Sequence, residues 1–400
     1  MTATYRPVWA EVDLAAVRAN VRALREFSAP ARLLAVVKAD GYGHGAVPVA
    51  RAALDAGAVA LGVALVEEGI ELRDAGIDAP ILVLSEPTPE AAAGVVHYGL
   101  TPVVYTLAGI DALAKAVADR GAHDRLAVHL KIDTGMHRVG CRAEDAVELA
   151  TQVVDRPELE LAGVCTHLAV ADEPGNPYTA EQLAKFRAVL RDLRARGIPT
   201  GTVHASNTAG AIDCPDARFD MVRVGIGCYG IAPSDALEGR LPLQPALAVK
   251  ARVAHVKTVP AGERLSYGLR YETGSETRIA TVPIGYADGV PRELAHHGGA
   301  AIVRGRRCPI AGTITMDQLM LDVGDLPVEV GDEVVLLGRQ GDEEITAVSW
   351  ARALGTIGYT VVCGIGPRVP RVYLNGQAQT GGPERSTRAR RAAGPEAVAE

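Results

Sequence analysis

Cysteine is scarce for a chain of 400 residues, and the six present (141, 165, 214, 228, 308 and 363) never form a C-x-x-C pair. That spacing disfavours a zinc site or a disulfide framework and fits reduced thiols, so no metal is expected. Aromatics are few, with eleven tyrosines against three phenylalanines and two tryptophans, a bias towards hydroxyl-lined sites. Positive charge is not in excess. A net charge of −7 argues against a nucleic-acid surface. No apolar run is long enough to span a bilayer, and no basic segment followed by an apolar stretch opens the chain. A cytoplasmic protein without membrane partners is the expectation.

What the chain does have is apolar bulk, 48% of residues, and 43 glycines. Its organising stretch is Leu33-Leu34-Ala35-Val36-Val37-Lys38-Ala39-Asp40-Gly41-Tyr42-Gly43-His44-Gly45. Five apolar residues read as a buried parallel strand. A lysine ends that strand, and a loop with glycines at alternate positions follows. A lysine at the mouth of a buried strand is costly unless it is used. Desolvation lowers its proton affinity and makes it a nucleophile or base. The alternative is a snorkelling lysine before an ordinary turn.

Trp9-Ala10-Glu11-Val12 reads as a short strand and Asp13 as a helix N-cap. Leu14, Val17, Val21, Leu24 and Phe27 recur at helical steps. After the Lys38 strand, apolar runs recur at 61–66, 81–84, 101–106, 125–132, 160–168, 201–206 and 221–226. Helical patterns at 46–56, 67–75, 107–119, 142–154 and 179–196 separate most of them. Eight β units alternating with helices predict an α/β fold, an N-terminal (β/α)8 TIM-like barrel over residues 1–245. From 246 to 373 the helical patterns nearly vanish. Segments at 248–259, 278–284, 319–323 and 333–337, with one short helix near 347–354, predict a C-terminal mostly-β domain. Residues 374–400 are Gly/Ala/Arg/Glu-rich and read as a disordered tail.

In such barrels the active site lies at the C-terminal strand ends. Lys38, Lys131, His167, Asn207, Thr208 and Arg223 fall there, with Gly225-Ile226-Gly227 just beyond. A reactive lysine on strand one neighbours a glycine- and hydroxyl-rich corner after strands seven and eight, the usual phosphate corner. Pyridoxal 5′-phosphate, held by its aldehyde and its phosphate, meets both needs.

VVKADGYGHG, KIDTGMHRVG, THLAVAD, HASNTAG, RVGIGCYG, SYG, PIGYADG, GTITMDQLM and YTVVCGIGPRVPR occur in this order between about residues 5 and 373. Together they resemble the motifs of bacterial alanine racemases. The resemblance implies that Lys38 holds the cofactor through its amine and serves as one proton-transfer base. The second base, on the opposite face of the substrate carbon, would be Tyr267, lent by the partner subunit of a homodimer with composite active sites. A phenol ordinarily titrates near pKa 10, so neighbouring cations must lower it. Arg223 would bond the pyridine nitrogen. Arginine stays protonated (pKa above about 12), so that nitrogen stays unprotonated and the ring is a weaker electron sink. Tyr42, Asn207, Thr208, Gly225, Ile226 and Tyr359 would hold the phosphate. Arg138 would sit by the cofactor's phenolic oxygen and the substrate. His167 would pack near the ring and link to Arg223. The partner's Met316 and Asp317 would flank the substrate carboxylate, and Tyr286 would stand at the entrance. Lys131 would be carbamylated by CO₂, giving an anion that orients Arg138. The implied reaction interconverts L- and D-alanine for peptidoglycan precursors.

The sequence departs from the family pattern at three places: Thr208 for a common serine, Thr315 for a common cysteine, and Asp40-Gly41 for a common Asn-Ala. Read singly, His167 fits a core histidine, Asp288 a turn residue, and Lys131 a partner of Asp133. Three rival functions bear on the same residues. A racemase of serine or broader range is separated poorly by sequence. A barrel-type decarboxylase with the same cofactor would place a carboxylate at the pyridine nitrogen, where Arg223 stands. A non-catalytic cofactor carrier would lack residues 246–373.

Overall fold

The computed structural model describes residues 5–121 and 124–376. Strand β1 (Val8–Asp13) leads into helix α1 (Leu14–Ser28). Asp13 caps that helix, its Oδ1 accepting from the N–H groups of Ala15 and Ala16 at 2.8 and 3.3 Å. Leu14, Val17, Val21 and Leu24 are buried, as the helical spacing predicts. Phe27, assigned to the same stripe, is instead 40% exposed and carries the Arg218 guanidinium 4.9 Å above its ring.

Eight parallel strands then form the barrel: β2 (Arg32–Val36), β3 (Ala60–Val63), β4 (Ile81–Val83), β5 (Thr101–Val104), β6 (Leu126–Asp133), β7 (Leu159–Cys165), β8 (Thr202–His204) and β9 (Met221–Val224). Each pairs with the next from β2 to β8, and β9 pairs back onto β2. The remaining seam, between β8 and β9, has no ladder. Two backbone bonds cross it, Asp220 N–H to Val203 O and Arg223 N–H to Ser206 O, both 3.0 Å. The barrel is thus nearly closed. Every position of β3, β4 and β9 is buried, because helices cover the outside and packed side chains the inside.

The second domain starts with strand β10 (Leu247–Arg252), followed by β11 (His255–Val259), β12 (Thr277–Val282), β13 (Ala300–Val303), β14 (Arg306–Pro309), β15 (Leu319–Gly324) and β16 (Glu333–Gln340). Helices α2 (Ala347–Leu354) and α3 (Gly358–Gly364) and strand β17 (Arg371–Leu374) complete it. One sheet runs β14-β13-β16-β10-β1-β17 and a smaller one β11-β12-β15.

Four details differ from the sequence reading. Strand β1 is not part of the barrel; it lies between β10 and β17 in the second domain's sheet. The stretch 248–259 is two strands rather than one, broken after Arg252 and sent to different sheets. Helix α3 has only seven residues and no apolar period to announce it. Strand β17 extends to Leu374, and Asn375 donates to Asp13 Oδ1 at 2.9 Å, so these two residues are anchored rather than part of a tail. The tail expectation for 377–400 lies outside the described residues.

Asn20, fully buried on α1, ties the barrel to its exit segment. Its Nδ2 donates to the carbonyls of Cys228 (3.2 Å) and Gln244 (2.8 Å), and its Oδ1 accepts from Gln244 N–H (2.8 Å). Asn20→Ala strands these backbone groups. It should lower unfolding stability by about 1–3 kcal/mol, read from the denaturant midpoint, with an unchanged slope.

Candidate active site

The C-terminal strand ends open onto a cavity of about 550 Å³. Lys38, Tyr42, Lys131, Arg138, His167, Asn207, Thr208, Arg223, Gly225, Ile226 and Tyr359 all line it. Four of these side chains are basic, and among the described residues no carboxylate lines the cavity. Such a site is built for an anion.

Lys38 does not end its strand; it stands two residues beyond Val36, at the start of a turn of reversed hand. Ala39 (φ 53, ψ 52), Asp40 (φ 51, ψ 50), Gly41 (φ 59, ψ 44) and Tyr42 (φ 53) are all left-handed. Each non-glycine residue there costs about 1–2 kcal/mol, so the surroundings must impose the turn. Glu68 accepts from Ala39 N–H (2.6 Å) and also from Ala64 and Leu65 N–H (2.7 and 3.1 Å). Asp40 accepts from Ala46 N–H through Oδ1 and from Gly45 N–H through its carbonyl, both at 2.8 Å. Tyr42 packs on Tyr229, ring centroids 4.9 Å apart, and Tyr229 Oη donates to Val36 O at 3.0 Å. The reversed turn presents both Lys38 and Tyr42 to the cavity. Burial, then the Arg138 charge, lowers the Lys38 pKa.

Just after the neighbouring strand β9 the backbone comes close. A Cβ on Gly225 would stand 2.4 Å from Tyr42 Oη, so only glycine fits. Thr208 Oγ1 accepts from Gly225 N–H at 3.0 Å, and Asn207 Oδ1 from Gly210 N–H at 2.9 Å. The Tyr42 and Tyr359 rings lie 6.1 Å apart. Hydroxyls and bare backbone thus meet at this corner of the cavity.

Arg223 is buried, and four acceptors fix it. Nη1 donates to His204 Nδ1 (2.8 Å); Nη2 donates to Thr166 O (2.9 Å), His167 Nδ1 (3.0 Å) and Ala205 O (3.0 Å). A guanidinium can only donate. His204 therefore keeps its proton on Nε2, which lies 2.8 Å from His129 Nδ1. The chain Arg223–His204–His129 runs inward from the cavity wall. Burial, then the Arg223 charge, depresses all three histidine pKa values, His129 to about 4 and His167 and His204 well below the usual imidazole range. His167 is thus held by Arg223 and is no independent core residue.

Lys131 makes no pair with Asp133. Its Nζ donates to Leu84 O at 3.0 Å, while Asp133 accepts from Gly135 and His137 N–H. Burial, and then the charges of Arg223, Arg138 and Lys38 against an opposing effect of Cys165, lower the Lys131 pKa to about 8. His129, His204 and Cys363 escaped the sequence reading. His129 stands two residues before Lys131 and so shares its inward face, a period-two signal that could have found it.

Tyr267, Tyr286, Met316 and Asp317 do not line this cavity. All four lie in the second domain, and Tyr267 is 74% exposed. Asp317 Oδ1 accepts from Arg368 at 2.7 Å.

Comparison with known proteins adds the following. Residues 12–233 match the model of the alanine racemase N-terminal domain, and 246–373 that of its C-terminal domain. An alanine racemase of Symbiobacterium thermophilum is 51% identical over 369 residues, 92% of this chain and 97% of the relative. The crystal structure of alanine racemase from D-cycloserine-producing Streptomyces lavendulae superposes with a TM-score of 0.88 at 43% identity, covering 94% of this chain and 98% of the other. A histidine racemase of Leuconostoc mesenteroides superposes with a TM-score of 0.85 at 32% identity, over 93% and 99% of the two chains.

The depressed histidines predict an acid response. An unfolded histidine takes up a proton near pH 6.5, whereas the folded ones do not. The unfolded state then binds more protons, so stability, complete above that pH, declines as pH falls towards 4. Thermal melts between pH 7 and 5 should show this decline, and His129→Asn should make it shallower.

Proposed function

We propose, on the premise that the chain belongs to the alanine racemase family, that it interconverts L- and D-alanine with two bases, Lys38 of one subunit and Tyr267 of the partner subunit. Pyridoxal 5′-phosphate, when bound, supplies the electron-withdrawing ring that acidifies the Cα–H of an attached amino acid. The observation that carries this reading is a cavity with four basic side chains and no lining carboxylate among the described residues. It asks for a dianionic phosphate and a carboxylate together.

The residues fit that group. Lys38, its proton affinity lowered by burial, is suited to hold an aldehyde and to take or return a proton at Nζ. Tyr42, Asn207, Thr208, Gly225, Ile226 and Tyr359 form the phosphate cradle around the close approach of Gly225 to Tyr42 Oη. Arg223, its Nη atoms occupied by His204, His167 and two carbonyls, would meet the pyridine nitrogen of the bound cofactor as a fixed donor that does not give up its proton. That limits electron withdrawal and favours reprotonation at Cα over transamination. A decarboxylase would want a carboxylate at this position. Arg138 steadies the substrate side.

Tyr267 is the base for the other face. It is exposed in its own subunit, and Leu269, Tyr286 and Met316 are exposed apolar side chains of the same domain. These support an isologous homodimer in which each second domain completes the partner's cavity, with Met316 and Asp317 at the substrate carboxylate and Tyr286 at the entrance. No helix among the described residues is long and apolar enough to cross a membrane. A cytoplasmic enzyme supplying D-alanine for peptidoglycan follows as the physiological reading. The histidine racemase shares the architecture, so the barrel itself does not set the substrate side chain.

Chiral analysis of L-alanine incubated with the purified protein tests the reaction, with serine, lysine and histidine alongside. Lys38→Ala should abolish cofactor absorbance and racemisation together. Tyr267→Phe should keep the absorbance and lose turnover; an undiminished rate would remove it as a base. Arg223→Glu should increase side transamination.

Lys131, with a pKa near 8, is roughly one-tenth neutral at pH 7, far more than an ordinary lysine, and only the neutral amine adds CO₂. The anion so formed would answer Arg138. Native mass spectrometry should find one CO₂ per subunit, lost in Lys131→Ala. An unmodified amine beside an ordered Arg138 in a crystal structure would exclude it.

A further inference from the structure

Asp288 has no place in the chemistry above, yet its side chain is fully buried and two arginines converge on it. It follows Tyr286 and Ala287 in a single turn. Arg6 grips it with a two-pronged fork, Nη1 to Oδ2 at 2.9 Å and Nη2 to Oδ1 at 2.7 Å. Arg368 Nε lies 3.3 Å from Oδ1, and Gly285 N–H donates to Oδ2 at 3.0 Å. Arg6 also donates to the carbonyl of Arg368 at 3.0 Å. One carboxylate therefore joins the N-terminal segment, the 285–288 turn and the 366–368 segment, which are distant in sequence.

From that joint a continuous path of bonds leads to the residues assigned to the partner's site. Arg368 Nη2 donates to Asp317 Oδ1 at 2.7 Å. Tyr286 and Ala287 N–H donate to the carbonyls of Thr315 and Met316, both at 3.0 Å. The two segments touch so closely that a Cβ on Gly285 would stand 2.2 Å from Thr315 O. The same 313–317 segment then holds the second base's turn. Thr313 Oγ1 donates to Tyr267 O at 2.7 Å, and Ser266 Oγ donates to Thr313 O at 2.6 Å. On the other side, Gly366 N–H donates to Asp288 O at 2.9 Å, just beyond α3, which carries the cavity residues Tyr359 and Cys363.

We infer that Asp288 is a positioning residue: its buried carboxylate, forked by Arg6 and flanked by Arg368, sets the surface that each subunit lends to its partner's active site, Tyr267, Tyr286, Met316 and Asp317 together. Arg6 and Arg368 are parts of the same device. The inference rests on the composite-site reading above. It touches neither substrate nor cofactor directly. Its effect is geometric, and a displacement of about 1 Å at a reacting group can cost roughly a hundredfold in rate.

Subunit complementation tests it. Asp288→Asn removes the charge and keeps the shape. As a holoenzyme it should retain cofactor absorbance and dimerise, while kcat/KM for alanine falls roughly a hundredfold. Co-expressed with Lys38→Ala under a second affinity tag, it forms a mixed dimer with one doubly defective site and one site built from two intact halves. That dimer should recover about half the wild-type rate, because a two-fold symmetric pair holds two equivalent sites. A mixed dimer as inactive as its parents would overturn the inference, since Asp288 would then act on its own subunit's barrel. An undiminished rate in the Asp288→Asn homodimer would overturn it too. The Tyr267→Phe/Lys38→Ala pair separates this from the underlying reading. If that pair also fails to recover, the shared site is refuted and the inference with it; if it recovers and the Asp288 pair does not, only the inference fails. Should Asp288→Asn not fold, Arg368→Gln takes its place. It leaves the Arg6 fork and the Gly285 bond intact, releases Asp317, and should show the same recovery pattern from a smaller loss.

Discussion

Positive charge without a resident counter-charge governs this molecule. Lys38, Lys131, Arg138 and Arg223 share one cavity, and no lining carboxylate among the described residues answers them. Gathering four basic groups around one cavity, with Lys131 and Arg223 buried, is unfavourable unless some lose their protons or an anion arrives. The first is present. The two lysines have lowered proton affinity. The second is the part that the proposed function gives to a phosphate and a carboxylate.

Holding such groups in place requires neutral acceptors, since acidic ones would defeat the purpose. Arg223 shows how this is done. Two backbone carbonyls and two imidazole nitrogens receive its protons, and burial keeps the imidazoles neutral. The guanidinium is oriented without being discharged. The barrel makes this possible. Thr166, His167, His204 and Ala205 stand at the ends of adjacent parallel strands, where carbonyls and side chains converge on the same rim. The left-handed turn at 39–42 follows the neighbouring strand β2, and Glu68 and Asp40 hold its strained backbone in place.

The second domain has a different task and a different electrostatic design. There an acid is buried and arginines surround it, so the charge is satisfied within the subunit. A satisfied network is rigid, and the proposed composite site asks that rigidity of this surface. The N-terminal segment serves that domain in two ways. Arg6 forks Asp288, and β1 completes the main sheet between β10 and β17.

Much of this architecture was legible in the sequence because it depends on local periodicity. Eight apolar runs separated by helical patterns announce a parallel barrel, since strands covered on both faces must be apolar throughout. Asp13 as a cap and the helix at 347–354 were readable for the same reason. The convergence of Lys38, Lys131, His167, Asn207, Thr208 and Arg223 on one rim followed from strand order alone. What the tertiary structure alone decided involves contacts between distant segments. The residence of β1 in the far sheet is one, as are the reversed hand of the Lys38 turn, imposed by Glu68, and the Arg223–His204–His129 chain across three strands. The burial of Asp288 under Arg6, 282 residues away, is another. Local pattern reports which face of an element seeks apolar company; only the folded chain decides which polar groups, once desolvated there, find each other.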